Sequence, residues 1–358
     1  MNRYYLYLVV LNMVMNVIVF VPKILIEYRF NGAVMSVLIA IPIGFALNII
    51  FTKSINRFPG KGFTELVENS NKKWIVNTCL SILPLAWFTA GLITLLGFSD
   101  ILTRFINPEA PKLEIIAIYL VGTLFIMTMP TERVMYFLEI VLFLNLPLIA
   151  FLILKTYTSD YLVWDSILEV GTHIFEWPNL KAIAAASYVF SGYANLMIFN
   201  RTFKGKIKLR NFFAVLCLGI VTLFTSFLVP IGFHGADGAQ EYLYPWISTA
   251  DSIRLVYGPI ERAIFLFIAF YMTISLMSIA VHWHVAFQLI RGIYKESRKK
   301  DWLVLAGFVS ITLIAGLVYN TVELNIITSY WMIFRLSFEI IVVGLFFIWA
   351  RRHRSENH

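Results

Sequence analysis

The sequence predicts an all-α, polytopic membrane protein of about ten transmembrane helices, on three observations. Of its 358 residues, 59% are hydrophobic and only 14% charged, with a mean hydropathy of +0.77. Soluble domains carry roughly 45–50% apolar and about 25% charged residues. The apolar residues fall into ten stretches near the roughly 20 residues that cross about 30 Å of hydrocarbon. The cations cluster in alternate loops. Helices satisfy their own backbone groups in lipid, so the spans are helical. A soluble enzyme, a nucleic-acid binder and a disordered chain are excluded as the main body.

The first span, about Tyr4–Val21, carries Asn12, Met15 and Asn16. The two asparagines, four apart, share a helix face. They are costly in lipid and point inward, either to a polar ligand or to a neighbouring helix. The span has no glycine and no small-residue cleavage site, and Pro22-Lys23 follows directly, so it reads as an uncleaved helix. Spans two to five run about Asn31–Thr52, Trp74–Phe98, Leu113–Met129 and Val134–Leu154. Glu139, in the fifth, has no obvious local partner and lies near the cytoplasmic end. The sixth, about Leu180–Phe199, is the best candidate for a break. Ser191-Gly192 weakens the helix near its middle, and Asn195 follows one turn later. The same small residues also suit close helix packing.

The seventh span is about Asn211–Phe233, and the eighth, about Ile260–Ile290, is long enough to tilt or project. Ser275 and Ser278 share a face, turned to a ligand or bonded back to their own helix. His282 and His284 flank Trp283 and face different sides, so one metal does not take both. The ninth is about Trp302–Tyr319. The tenth, about Ser329–Ala350, holds Arg335 and Glu339 four apart, a structural ion pair. Residues 1–350 read as a single transmembrane domain and residues 351–358 as a short basic cytoplasmic tail.

With ten spans, 20 of the 29 Lys and Arg residues fall on one side and eight on the other, with Arg335 inside a span. The positive-inside rule then places both termini in the cytoplasm. This explains the net charge of +8 without a nucleic-acid partner; topology alone is favoured over a further role of the same cations in binding anionic lipid. Two outer connections read as partly helical surface segments with interfacial aromatics, serving as lid, docking surface or plain anchored loops. The first carries Asp160, Trp164, Asp165, Glu169, Glu176 and Trp177; the second carries His234, Asp237, Glu241, Trp246 and Asp251. Cys79 and Cys217 lie in apolar runs and read as buried thiols. There is no pair of acids at mid-membrane, no phosphate loop and no zinc spacing. The chain therefore reads as a non-enzyme without metal or cofactor.

Several segments resemble the B subunits of spore germinant receptors, the spore germination permeases. These belong to the amino acid/polyamine/organocation transporter superfamily. The most specific stretch runs Tyr244-Pro245-Trp246-Ile247-Ser248, then Gly258-Pro259-Ile260-Glu261-Arg262, then a long aromatic-rich helix ending Gln288-Leu289-Ile290-Arg291-Gly292. The first span with its Pro-Lys end is also similar. So are Phe190-Ser191-Gly192 followed by Leu196-Met197-Ile198-Phe199, and the basic Arg351-Arg352-His353-Arg354. The chain departs from the family pattern where glycines are common in the first helix (here Met15 and Asn16), where an acid follows the sixth-helix glycine (here Ala194 or Asn195) and at Asn200, commonly proline.

The resemblance implies an amino-acid-permease-like inverted-repeat bundle with helices 1 and 6 broken, in the inner membrane of a cell or spore. It implies a small germinant, typically an amino acid, bound between the first, third, sixth and eighth helices, with receptor A and C subunits as partners. The candidate ligand-binding residues are Asn12, Met15, Asn16, Trp87, Ser191, Gly192, Tyr193, Asn195, Ser275, Ser278 and His282. A half-helix N-terminus after Gly192 is the expected receiver of a carboxylate. A proton- or sodium-coupled amino acid permease and a non-binding structural subunit are the competing readings. The scarcity of ionisable groups at depth favours sensing over ion coupling.

Overall fold

The computed structural model describes residues 3–68, 73–205, 207–255, 261–294 and 297–355. The Gly258-Pro259-Ile260 motif and the last residues of the basic tail lie outside the described residues. The helices are α1 (Arg3–Asn16), α2 (Val21–Glu27), α3 (Ala33–Ile55), α4 (Phe63–Val67), α5 (Lys73–Phe105), α6 (Lys112–Met127), α7 (Thr131–Tyr157), α8 (Trp164–Gly171), α9 (Leu180–Tyr188), α10 (Leu196–Phe199), α11 (Leu209–His234), α12 (Pro245–Ser252), α13 (Ala263–Tyr294), α14 (Arg298–Val318) and α15 (Thr321–Ser355). The chain is an all-α polytopic membrane protein. Among the described residues, seven helices are long and apolar enough to cross a membrane, or nine if each of two bent pairs is one span. The 16-residue α6 corresponds to the fourth of the ten expected stretches and is shorter.

The bent pairs are the first and sixth expected spans. α1 and α2 meet at 49° across residues 17–20. Proline supplies this break, since Pro22 in the first turn of α2 has no N–H for a helical bond to the preceding turn. A glycine is therefore unnecessary, which accounts for the glycine-poor first helix. α9 and the segment Ser191–Thr202 meet at 59°, with residues Ser191–Asn195 wound as a tight 3₁₀ turn. The two breaks fall in the first and sixth of the ten expected spans, the spacing that two repeats of five would have.

A break inside a membrane frees backbone carbonyls that need donors. The Asn12 side-chain amide donates to Tyr188 O at 2.6 Å, at the end of α9, and Asn16 donates to Asn12 O at 2.7 Å. Gly192 permits the close approach: a Cβ there would lie 2.6 Å from both Leu8 O and Val9 Cα. The two broken spans thus cross backbone to backbone, and the first supplies a donor to the break in the sixth.

Around them, the long α13 packs along α5. Trp283 stacks on Phe88 at 5.4 Å between ring centroids and donates to Phe88 O at 3.1 Å. Gly91 makes room, since its Cβ would meet the Trp283 ring at 2.4 Å. Large apolar side chains such as Phe143, Leu154, Leu317 and Leu345 point outward, as lipid-facing helices require. Cys79 and Cys217 are free thiols, but Cys79 is only partly covered and Cys217 is exposed. The expected burial fails because an apolar run in a membrane helix has a lipid face as well as a protein face.

Both outer connections are partly helical, in α8 and α12. Trp164 and Trp177 are exposed, in keeping with interfacial aromatics. Trp246 is not interfacial: it is buried and donates to Ser226 O at 3.0 Å, because α12 tucks its ring between α11 and α13. Nearby, Asp100 of α5 accepts from Tyr244 Oη at 2.8 Å, Thr321 Oγ1 at 2.5 Å and Arg104 Nε at 2.7 Å. This ties the α12 segment to α5 and α15. Burial, and then the Asp100 charge, hold the Tyr244 phenol above its usual pKa, so it remains a donor.

Candidate functional site

Two neighbouring cavities lie where the broken spans meet α5, α13 and α15. The larger, about 70 Å³, is lined by Trp87, Tyr188, Ser191, Tyr193, Asn195, His282, Trp331, Arg335 and Glu339, with apolar residues from α3, α5 and α15. The smaller, about 20 Å³, is lined by Asn12, Met15, Asn16 and Phe20, with Tyr188, Ser278 and Trp331. On the same measure one water takes roughly 10–15 Å³, so the larger has room for several and the smaller for one or two. Ala90, Tyr188 and Trp331 line both. Tyr188 and Trp331 form the partition, edge to face with ring centroids 5.5 Å apart.

The larger cavity is built around an ion pair on α15. Arg335 donates to Glu339, to Ser191 Oγ at 2.7 Å, to Ser187 Oγ at 2.8 Å and to Ala184 O at 2.6 Å. Glu339 also accepts from Ser191 Oγ at 2.9 Å and from Tyr193 Oη. Both side chains are buried. A cation near the last carbonyls of α9 complements the helix dipole. The guanidinium also lies over the Tyr188 ring, 4.9 Å from its centroid. The pair is therefore more than local neutralisation along one helix. It clamps α15 onto both sides of the sixth-span break, and every member of the clamp lies in or beside the cavity wall.

The candidate residues divide between the cavities. Trp87, Ser191, Tyr193, Asn195 and His282 line the larger, and Asn12, Met15, Asn16 and Ser278 the smaller. Gly192 and Ser275 line neither. Gly192 is packed against α1, while Tyr193, Ala194 and Asn195 after it line the larger cavity. Ser275 is hydrogen-bonded to Tyr119 Oη at 3.1 Å and back to Met272 O. Asn195 is held by Trp87 Nε1, which donates to its Oδ1 at 3.0 Å, and by its own bond to Gly192 O. His282 gives Nδ1 to Ser278 O at 2.7 Å, while His284 turns to Thr131 and Met127 O. The two histidines do face different sides. Glu139 is not solitary: Arg3 and Tyr4 at the start of α1 bind it.

The cavity residues that sequence reasoning missed are Tyr188, Trp331, Arg335 and Glu339 in this role. The available signal was the pair of charges four apart inside an apolar span, with Trp331 one turn before them. A search of curated proteins finds no match. A family model described as spore germination protein matches residues 3–323.

Proposed function

The chain belongs to the spore germination protein family, and on that premise we propose that it is the membrane subunit of a spore germinant receptor. Its family is transporter-like and germination-related rather than enzymatic. In this reading a small germinant, an amino acid, binds in the central cavities and shifts the bundle between two states. A ligand moves such an equilibrium only by binding one state better than the other. Receptor A and C subunits would receive that shift, with the protein in the inner membrane and both termini cytoplasmic.

The carrying observation is that the sixth-span break, the first-span asparagines and the α15 ion pair converge on the same two cavities. Broken helices at mid-span are where transporter-like bundles hold small polar ligands. The test is thermal unfolding of the purified chain against a panel of small polar compounds. At least one should raise the midpoint, and co-purification with the A and C subunits should survive in its presence. A flat response across the panel favours the non-binding structural subunit.

One observation favours a coupled permease as a second reading. Glu339 is a buried carboxylate in the cavity wall, and intramembrane acids commonly serve proton relays. Uptake of labelled amino acid into vesicles by the chain alone, lost in Glu339→Gln, would support it.

A further inference from the structure

The polar atoms left unpaired around the larger cavity narrow the chemistry of its ligand. Ser191, Tyr193, Asn195 and Trp87 are all engaged in hydrogen bonds within the protein. Two buried N–H groups are not: Trp331 Nε1 and Arg335 Nε have no acceptor. Both residues line the cavity, at 8% and 6% exposure, and they stand four apart on α15, on one helix face. Two unpaired donors one helix turn apart in the same cavity wall, one of them cationic, call for oxygen acceptors.

A third atom is complementary. His282 directs Nδ1 at a backbone carbonyl, which only accepts, so Nδ1 carries the proton. In the neutral ring Nε2 is then an acceptor. Among the described residues nothing donates to it.

Resting on the ligand-binding reading above, we propose that Trp331 and Arg335 form the subsite for the carboxylate of a zwitterionic amino acid. Its ammonium lies toward Glu339 and His282 Nε2. Charge balance selects the zwitterion. Arg335 and Glu339 already neutralise each other, so a bare anion would add net charge to a site inside the bilayer, where charge is costly. A zwitterion adds none and meets donors with its carboxylate and acceptors with its ammonium. The carboxylate thus goes to side chains of α15. In this arrangement the carboxylate does not use the backbone amides beyond Gly192, whose Cα is packed against α1.

The full-length chain in lipid nanodiscs is titrated with L-alanine, L-leucine and L-phenylalanine, each beside its carboxamide and its decarboxylated amine, with glucose as an uncharged probe. At least one free amino acid should bind, and its carboxamide and amine should bind about tenfold or more weakly. Trp331→Phe keeps the ring and removes the N–H. It should weaken the acid about tenfold and narrow the acid-to-amide ratio, which a merely structural ring would leave unchanged. Arg335→Lys, where it folds, should narrow the same ratio. The subsite is overturned if the wild type binds the carboxamide as tightly as the acid, or if Trp331→Phe leaves both affinity and ratio intact. Binding of glucose and of no amino acid overturns the subsite and the amino acid as germinant, while a receptor for another small polar ligand stands. Binding of none of the probes overturns the ligand-binding reading, and the subsite with it.

Discussion

The losses from removing each half of the α15 clamp should far exceed, in sum, the loss from removing both. Arg335→Met leaves the Glu339 carboxylate buried with only Ser191 and Tyr193 as donors, and Glu339→Met leaves the guanidinium buried with only neutral partners. Breaking a buried pair in this way costs about 3–5 kcal/mol. The two single losses therefore sum to about 6 kcal/mol at least. The double variant contains no buried charge. Ser187 Oγ already donates to Ala184 O at 2.9 Å within its own helix, so the main groups left without partners are the buried Ser191 and Tyr193 hydroxyls. Two such orphans cost about 2–6 kcal/mol. From the middle of these ranges the coupling between the substitutions is about 4 kcal/mol, above most measured double-mutant couplings. Reversible unfolding by added SDS in mixed micelles, run on all four proteins of the cycle, reads it directly. If the double variant's loss equals the sum of the single losses to within about 0.5 kcal/mol, the clamp is not one unit and the reasoning fails.

Other expectations follow from the same packing. Gly192→Ala drives a methyl against the α1 backbone, which has no flexible side chain to yield, and should cost about 1–3 kcal/mol. Gly307→Ala in α14 meets open space and should instead leave stability unchanged or raise it by up to about 1 kcal/mol; the same SDS titration compares the two. Asn195→Ala removes the acceptor of Trp87 Nε1 and should cost about 1–3 kcal/mol, with a shift in tryptophan emission as that indole loses its partner. Asp100→Ala removes the acceptor of both Tyr244 and Thr321, whereas Tyr244→Phe leaves Asp100 two donors. Limited proteolysis should therefore cut the α12 segment faster in Asp100→Ala than in Tyr244→Phe, and the order must not reverse.

Much of this molecule is legible along the chain. Hydrophobic run length gives the membrane class and the order of the long helices, because lipid imposes one length on every crossing helix; of the ten expected stretches, nine correspond to helices or bent pairs that reach spanning length among the described residues, and α6 falls short. Ser191-Gly192 marks the sixth break, since a glycine and a small polar residue are conspicuous in an apolar helix. The first break is legible in outline only: Pro22 was visible as the end of a span, while the structure makes it the start of a second half-helix. Asn12 and Asn16 are inward, as their cost in lipid demands, but which carbonyl each reaches depends on how α1 crosses α9. Trp246 and Cys217 were misplaced for one reason: composition says that a residue is apolar, not which apolar surroundings receive it.

The sequence by itself determined an all-helical membrane bundle and marked the sixth-span break, because each follows from local composition and spacing; its motifs carried the family resemblance. Only the tertiary structure decided the site. Arg335 and Glu339 look like a self-contained pair when α15 is considered alone. Folding carries them more than 140 residues away in sequence, onto Ser191 and Tyr193. There they change from a neutralised pair in one helix to the wall of a cavity and the clamp across a break. Hydrogen-bond partners of that kind are set by helix packing, and no local pattern encodes them.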